Sequence, residues 1–114
     1  MGIRKLRQIL KSLADDTRLR IINLLSEKEL TVTELCKILG KNQSNISKHL
    51  TRLRLTGLVG DKRLGLNVYY FLIKGKERTY RKLIDCLTIE LDKIKTFKQD
   101  YKRLKKAQKA KMKD

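Results

Sequence analysis

The chain has no proline, only two cysteines, a single histidine and six glycines in 114 residues. Without proline nothing forces a break inside an element, and the glycines fall where elements would end, which fits a mostly helical protein. Two cysteines and one histidine are too few for a disulfide framework or for a structural zinc site held by one chain. No run of 18 or more apolar residues occurs, and basic Arg4, Lys5 and Arg7 lead into an amphipathic segment. Neither a membrane span nor a signal peptide is expected, so the chain reads as cytoplasmic with no membrane partner. Acid is scarce too: 12 Asp+Glu against 29 Lys+Arg leave a formal charge of +17. Such a surface repels itself and attracts polyanions, with nucleic acid the first candidate. Paired carboxylates, a nucleophile with a base at recognisable spacing and a phosphate-cradling glycine loop are all missing, so neither an enzyme nor a cofactor is expected.

What is present is organised around residues 42–57. Ile46, Leu50 and Leu53 form one apolar stripe at helical spacing, while Gln43, Ser44, Ser47, Lys48, Thr51 and Arg52 lie away from it. Asn42 can cap the start of this helix and Gly57 can close its end. Upstream, Ile3, Leu6, Ile9, Leu10 and Leu13 predict a first amphipathic helix. A second follows to about Leu25, capped by Asp15 or Asp16, with Leu19, Ile22 and Leu25 inward. Thr31 and Glu34 have the spacing of a capping box for a helix of about two turns ending at Gly40. Two short helices around a tight turn are helix-turn-helix order, the first bracing the second. Residues 58–63 and 67–72 read as two strands around a turn near Gly65, a wing with Lys62 and Arg63 beside the turn.

From about Lys76 to Ala110 no breaker occurs. Tyr80, Leu87, Ile94 and Tyr101 recur at heptad steps within a longer apolar stripe, predicting one helix of about 50 Å. That is too long to bury against one small domain, so a homodimer built on it is expected, with help from the first helix. Glu90 interrupts the seam, which favours irregular packing over a continuous coiled coil. The last 13 residues hold seven Lys or Arg and read as a fraying, solvated tail or a contact. The expected organisation is residues 1–75 as a DNA-binding domain and 76–114 as the dimerisation helix with its basic tail.

The run Leu10 to Ile22, then Thr31 to Leu35, Gln43 to Leu50, Gly57 to Val59 and Val68 to Leu72, resembles the ArsR (arsenic-repressor-like) family of winged-helix regulators. The resemblance covers residues 6–73 in order and spacing. It implies a mainly α fold with a small β-hairpin, a winged helix-turn-helix with a long C-terminal dimerisation helix. It also implies a homodimeric repressor that leaves an inverted-repeat operator when a metal, oxidant or other signal binds. Carried over by position, Gln43, Ser44, Asn45, Ser47, Lys48, His49 and Arg52 become the set facing double-stranded DNA. Their chemistry agrees: Gln and Asn pair with adenine edges, Ser with bases or phosphates, Lys and Arg with guanine or phosphate. For His49 a phosphate donor on the helix surface is the preferred role over a metal ligand.

The chain also departs from the family. Thr31 and Thr33 stand where metal-sensing members carry cysteines, and Asp85, Glu90 and Asp92 have no histidine beside them, so no metal site is expected. Cys36 faces the core side of its helix and Cys86 flanks the predicted dimer seam; these two are the candidate redox residues. Leu64 and Leu66 flank Gly65 where relatives place polar or basic groups. The competing reading of the +17 charge is an architectural, chromatin-like protein that binds DNA through charge, and a third is a protein-binding winged helix that docks through its long helix.

Overall fold

A computed structural model describes residues 1–113 of the chain. In order these form α1 (Ile3–Leu13), α2 (Asp16–Glu27), α3 (Val32–Leu39), α4 (Gln43–Leu55), β1 (Val59–Leu64), β2 (Asn67–Leu72), α5 (Arg78–Asp85) and α6 (Lys95–Lys113). The starts of α2, α3 and α4 have local causes. Asp15, rather than Asp16, caps α2 by accepting from the Arg18 N–H at 3.0 Å. Thr31 and Glu34 close a reciprocal capping box on α3, and Asn42 accepts from the Asn45 N–H at 2.8 Å to open α4. Between α3 and α4 the chain turns at Gly40, whose φ of 65° is the left-handed conformation glycine adopts without a side-chain clash.

The core is one cluster. Ile9 of α1, Ile21 and Leu24 of α2, Leu35 of α3, and Ile46, Leu50 and Leu53 of α4 are all buried together with Leu30, Leu58 and Val59. β1 and β2 pair antiparallel from Val59↔Leu72 to Leu64↔Asn67, which leaves Gly65 and Leu66 as a two-residue turn. Only Gly65 of that pair has positive φ, at 64°, the arrangement found in type II′ hairpins. Leu30 exchanges backbone hydrogen bonds with Tyr70 at 2.8 and 3.1 Å, tying the base of the hairpin to the segment before α3. Winged helix-turn-helix topology is therefore present, with a helix at its C-terminal end.

That C-terminal region is where the chain departs from expectation. The single helix expected over 76–110 is interrupted: after α5 come a π-helical turn (Cys86–Glu90), a 3-10 turn (Leu91–Lys93) and an extended Ile94. The Thr88 hydroxyl donates to the Ile84 carbonyl at 2.9 Å, a back-bond that perturbs regular helical pairing at this point. α6 then packs against α2 and α3. Its inward residues are Phe97, Asp100 and Leu104, all buried. Asp100 is fully enclosed and accepts two hydrogen bonds from the Arg20 guanidinium, both 2.9 Å. The heptad series does not share one face: Tyr80 is buried, whereas Ile94 and Tyr101 are exposed. In the basic C-terminal stretch Leu104 is buried and Lys111 pairs with Glu34 at 2.7 Å, the contact rather than the solvated tail of the two alternatives, while Asp114 lies outside the described residues. The pairing of distant Arg20 and Asp100 outweighs the local heptad pattern.

Candidate DNA-binding surface

Because Ile46, Leu50 and Leu53 point into the core, the opposite side of α4 is turned outward. Gln43, Ser44, Lys48, Thr51 and Arg52 are exposed along it, Ser44, Lys48 and Arg52 at four-residue steps that stack them on one face. Asn45, Ser47 and His49 sit at the margins, half-buried. The Asn45 Oδ1 is buried without a hydrogen-bond partner, so part of this amide is turned away from solvent. Thr51 donates to the Ser47 carbonyl at 2.9 Å, and the Ser44 hydroxyl donates to Asn42 Oδ1 at 3.3 Å.

His49 stands apart from the set. Its Nδ1 lies 3.1 Å from an Arg18 guanidinium nitrogen and 3.7 Å from the Asp15 carboxylate, and its side chain is only 15% exposed. Arg18 can only donate, so Nδ1 accepts and the ring's remaining N–H is on Nε2. Arg18 also donates through Nε to the Ser12 carbonyl, and Ser12 Oγ accepts from the Thr56 hydroxyl at 3.0 Å. Ser12, Arg18, Asp15 and His49 thus lash the α1–α2 junction to α4. This brace escaped sequence reading: Asp15 and Arg18 have a visible capping spacing, but nothing local connects them with His49, 31 residues further on.

Burial pushes the His49 imidazole below its ordinary value; Asp15 opposes the shift, and Arg18, Lys48 and Lys41 reinforce it. Folding therefore favours the neutral ring. Its stabilising contribution is complete above the ordinary imidazole pKa and is lost as pH falls through the lowered one. This is the chain's one histidine. Between about pH 7.5 and about 5.5 the melting temperature should fall toward acid, and His49→Gln should flatten that dependence. A wild-type profile with no slope would contradict the assignment.

In the wing, Lys62 pairs with Glu29 at 2.8 Å, so its charge is partly satisfied in the free protein. Arg63 is exposed and has no ion pair among the described residues. Leu64 and Leu66 project from the hairpin tip, Leu66 at 99% exposure. Beside α4, Arg54 and Asp61 are 3.5 Å apart and link the helix end to β1. Cys36 is half-buried and packs against the core from α3; Cys86 is exposed at the start of the π-helical turn. Among the described residues no cluster of three or more His, Cys, Asp or Glu is placed to hold a metal ion, and no helix is long and apolar enough to cross a membrane.

Residues 15–60, which hold α2, the helix-turn-helix and the start of the wing, match the family described as bacterial regulatory protein, arsR family. Over 79 residues the chain is 46% identical to the arsenical resistance operon repressor of Escherichia coli, an alignment spanning 68% of each protein. The chain belongs to the arsR family of bacterial regulatory proteins. As a member it is a DNA-binding transcriptional regulator and not an enzyme. With two further curated relatives, 35% and 48% identical, the alignment spans about half of their length. Among solved structures, the reduced form of HlyU from Vibrio cholerae superposes with a TM-score of 0.65 at 32% identity, covering 81% of this chain and 90% of that one. A homodimeric winged helix-turn-helix DNA-binding domain from Mycobacterium bovis gives 0.66 at 27% identity, covering 79% and 81%. α3 and α4 both lie within the matched residues.

Proposed function

We propose that this arsR-family chain is a cytoplasmic, homodimeric repressor that reads an inverted-repeat operator with α4 of each protomer in a major groove. The observation that carries this reading is the outward face of α4, polar and cationic along its length and opposed by a fully buried Ile46, Leu50 and Leu53. A helix of this width is what a major groove admits. In the proposed division of roles Gln43, Ser44 and Asn45 at the N-terminal turn reach base edges. Ser47, Lys48 and Arg52 contact phosphates, and Arg63 and Lys62 hold the flanking backbone from the wing. His49 acts mainly by positioning α4 through Arg18, with Nε2–H left as a donor.

Dimerisation is supported by apolar residues left uncovered in one protomer. Ile3 and Leu10 of α1 are 84% and 48% exposed, and Ile89 and Ile94 between α5 and α6 are exposed as well. The Mycobacterium bovis neighbour is homodimeric, and the Escherichia coli relative carries the name of a repressor.

A charge of +17 also favours a charge-driven, architectural mode of DNA binding. Competition between a selected site and random duplex at constant salt separates the two: a ratio of about 10³ or more is expected for the repressor, and a ratio near one would replace it with the architectural reading.

A further inference from the structure

The outer side of α6 carries a stripe of cations. Lys95, Lys98, Lys102, Lys105 and Lys109 are exposed at steps of three and four residues, with exposed Lys106 beside them, a single stripe on the side opposite Phe97, Asp100 and Leu104. The one carboxylate of the helix, Asp100, is buried and neutralised by Arg20. Glu27 and Asp92 share a groove with Lys98 and Lys102, yet among the described residues none of the six lysines forms an ion pair. The helix does not hang free. Its far end is fastened where Lys111 Nζ meets Glu34 Oε2 at 2.7 Å in the first turn of α3, and Lys111 shares a cavity with Leu66, Asn67 and Tyr69 of the wing. Burial pushes the Glu34 carboxyl up, but Lys111 and the Thr31 N–H outweigh it and hold it below its ordinary value, so this clamp is charged at neutral pH.

We infer that this stripe is a second nucleic-acid contact, a track for the phosphate backbone of duplex DNA beyond the segment gripped by α4 and the wing; the inference rests on the DNA-binding reading above. Three features favour duplex over other polyanions. The helix that carries the stripe ends beside the wing through Lys111, two residues past the last stripe lysine, which brings that end of the stripe near the surface assigned to DNA. Six like charges along a 19-residue helix of about 28 Å match a partner that carries one negative charge per about 1.7 Å over any length. An anionic membrane is disfavoured because an interfacial helix inserts its apolar face, and the apolar face of α6 is already spent on α2 and α3.

The test compares salt dependence of binding to a 40-bp random-sequence duplex. One variant carries Lys98→Gln, Lys102→Gln, Lys105→Gln and Lys109→Gln; a control removes the same charge elsewhere through Lys28→Gln, Lys74→Gln, Lys82→Gln and Lys93→Gln. Each lost phosphate contact should flatten the log–log salt slope by about 0.9, so the α6 variant should lose about 2 or more and the control less than about 1. Arginines at the same four α6 positions should preserve the wild-type slope, which guards against a folding defect in the glutamine variant. Equal changes in variant and control, or none, would overturn the inference while leaving the DNA-binding reading intact. Wild-type protein that binds no duplex would overturn both. Loss of binding only to phosphatidylserine vesicles, with duplex binding unchanged, would assign the stripe to a membrane instead.

Discussion

Replacing Arg20 by Ala is expected to destabilise the folded protein by about 3 kcal/mol, since it strands Asp100 as a fully enclosed carboxylate. Arg103 lies 3.6 Å from the same carboxylate but is more than half exposed, so it replaces the bidentate pair only in part. Asp100→Ala should cost less, because Arg20 keeps 18% of its side-chain surface in solvent and can rehydrate. The double substitution Arg20→Met with Asp100→Leu removes both charges together and should lie closer to wild type than Arg20→Ala alone. Urea unfolding of the four proteins measures this order. An Arg20→Ala variant as stable as wild type would mean that α6 is not held to α2 by this pair. The same result bears on function, since α6 is what carries the lysine stripe to the wing.

The second large effect concerns reading rather than folding. Gln43 lies exposed in the first turn of α4, where a glutamine amide can make a bidentate pair worth about 1–3 kcal/mol of discrimination. Gln43→Ala should therefore reduce the preference for operator over random duplex by about tenfold or more, with a smaller loss on random duplex. Arg52, exposed two turns later, should behave differently. Arg52→Ala should weaken binding to all sequences alike and lower the salt slope by about 1. Titrations of both variants against both duplexes, at several salt concentrations, check the division. If both variants lost discrimination equally, the assignment of Gln43 to bases and Arg52 to phosphate would be wrong.

Much of the fold was legible because its causes are local. The Thr31–Glu34 capping box, the Asn42 cap, the left-handed Gly40 and the hairpin turn at Gly65 each lie within a few residues, and each appears in place. The outward face of α4 was legible for the same reason, since its buried stripe has helical period. What local pattern could not convey was the fate of residues 86–94. A heptad repeat describes a helix waiting for a partner, whereas the observed break lets α6 use the protomer's own α2. One clue was available: Asp100 falls on the same helical face as Phe97 and Leu104, and a carboxylate on an apolar face asks for a buried cation. His49 shows the same limit. Its place on α4 was evident, but its engagement with Arg18 and Asp15 depends on how α2 packs across that helix.

If α4 of each protomer enters a major groove as proposed, the dimer reads a defined, two-fold symmetric site. Selection of bound duplexes from a random pool at moderate salt is the decisive experiment. The expected result is an inverted repeat whose half-sites are centred about 10 bp, or a multiple of it, apart. Recovery of sequences with no symmetric preference would contradict it.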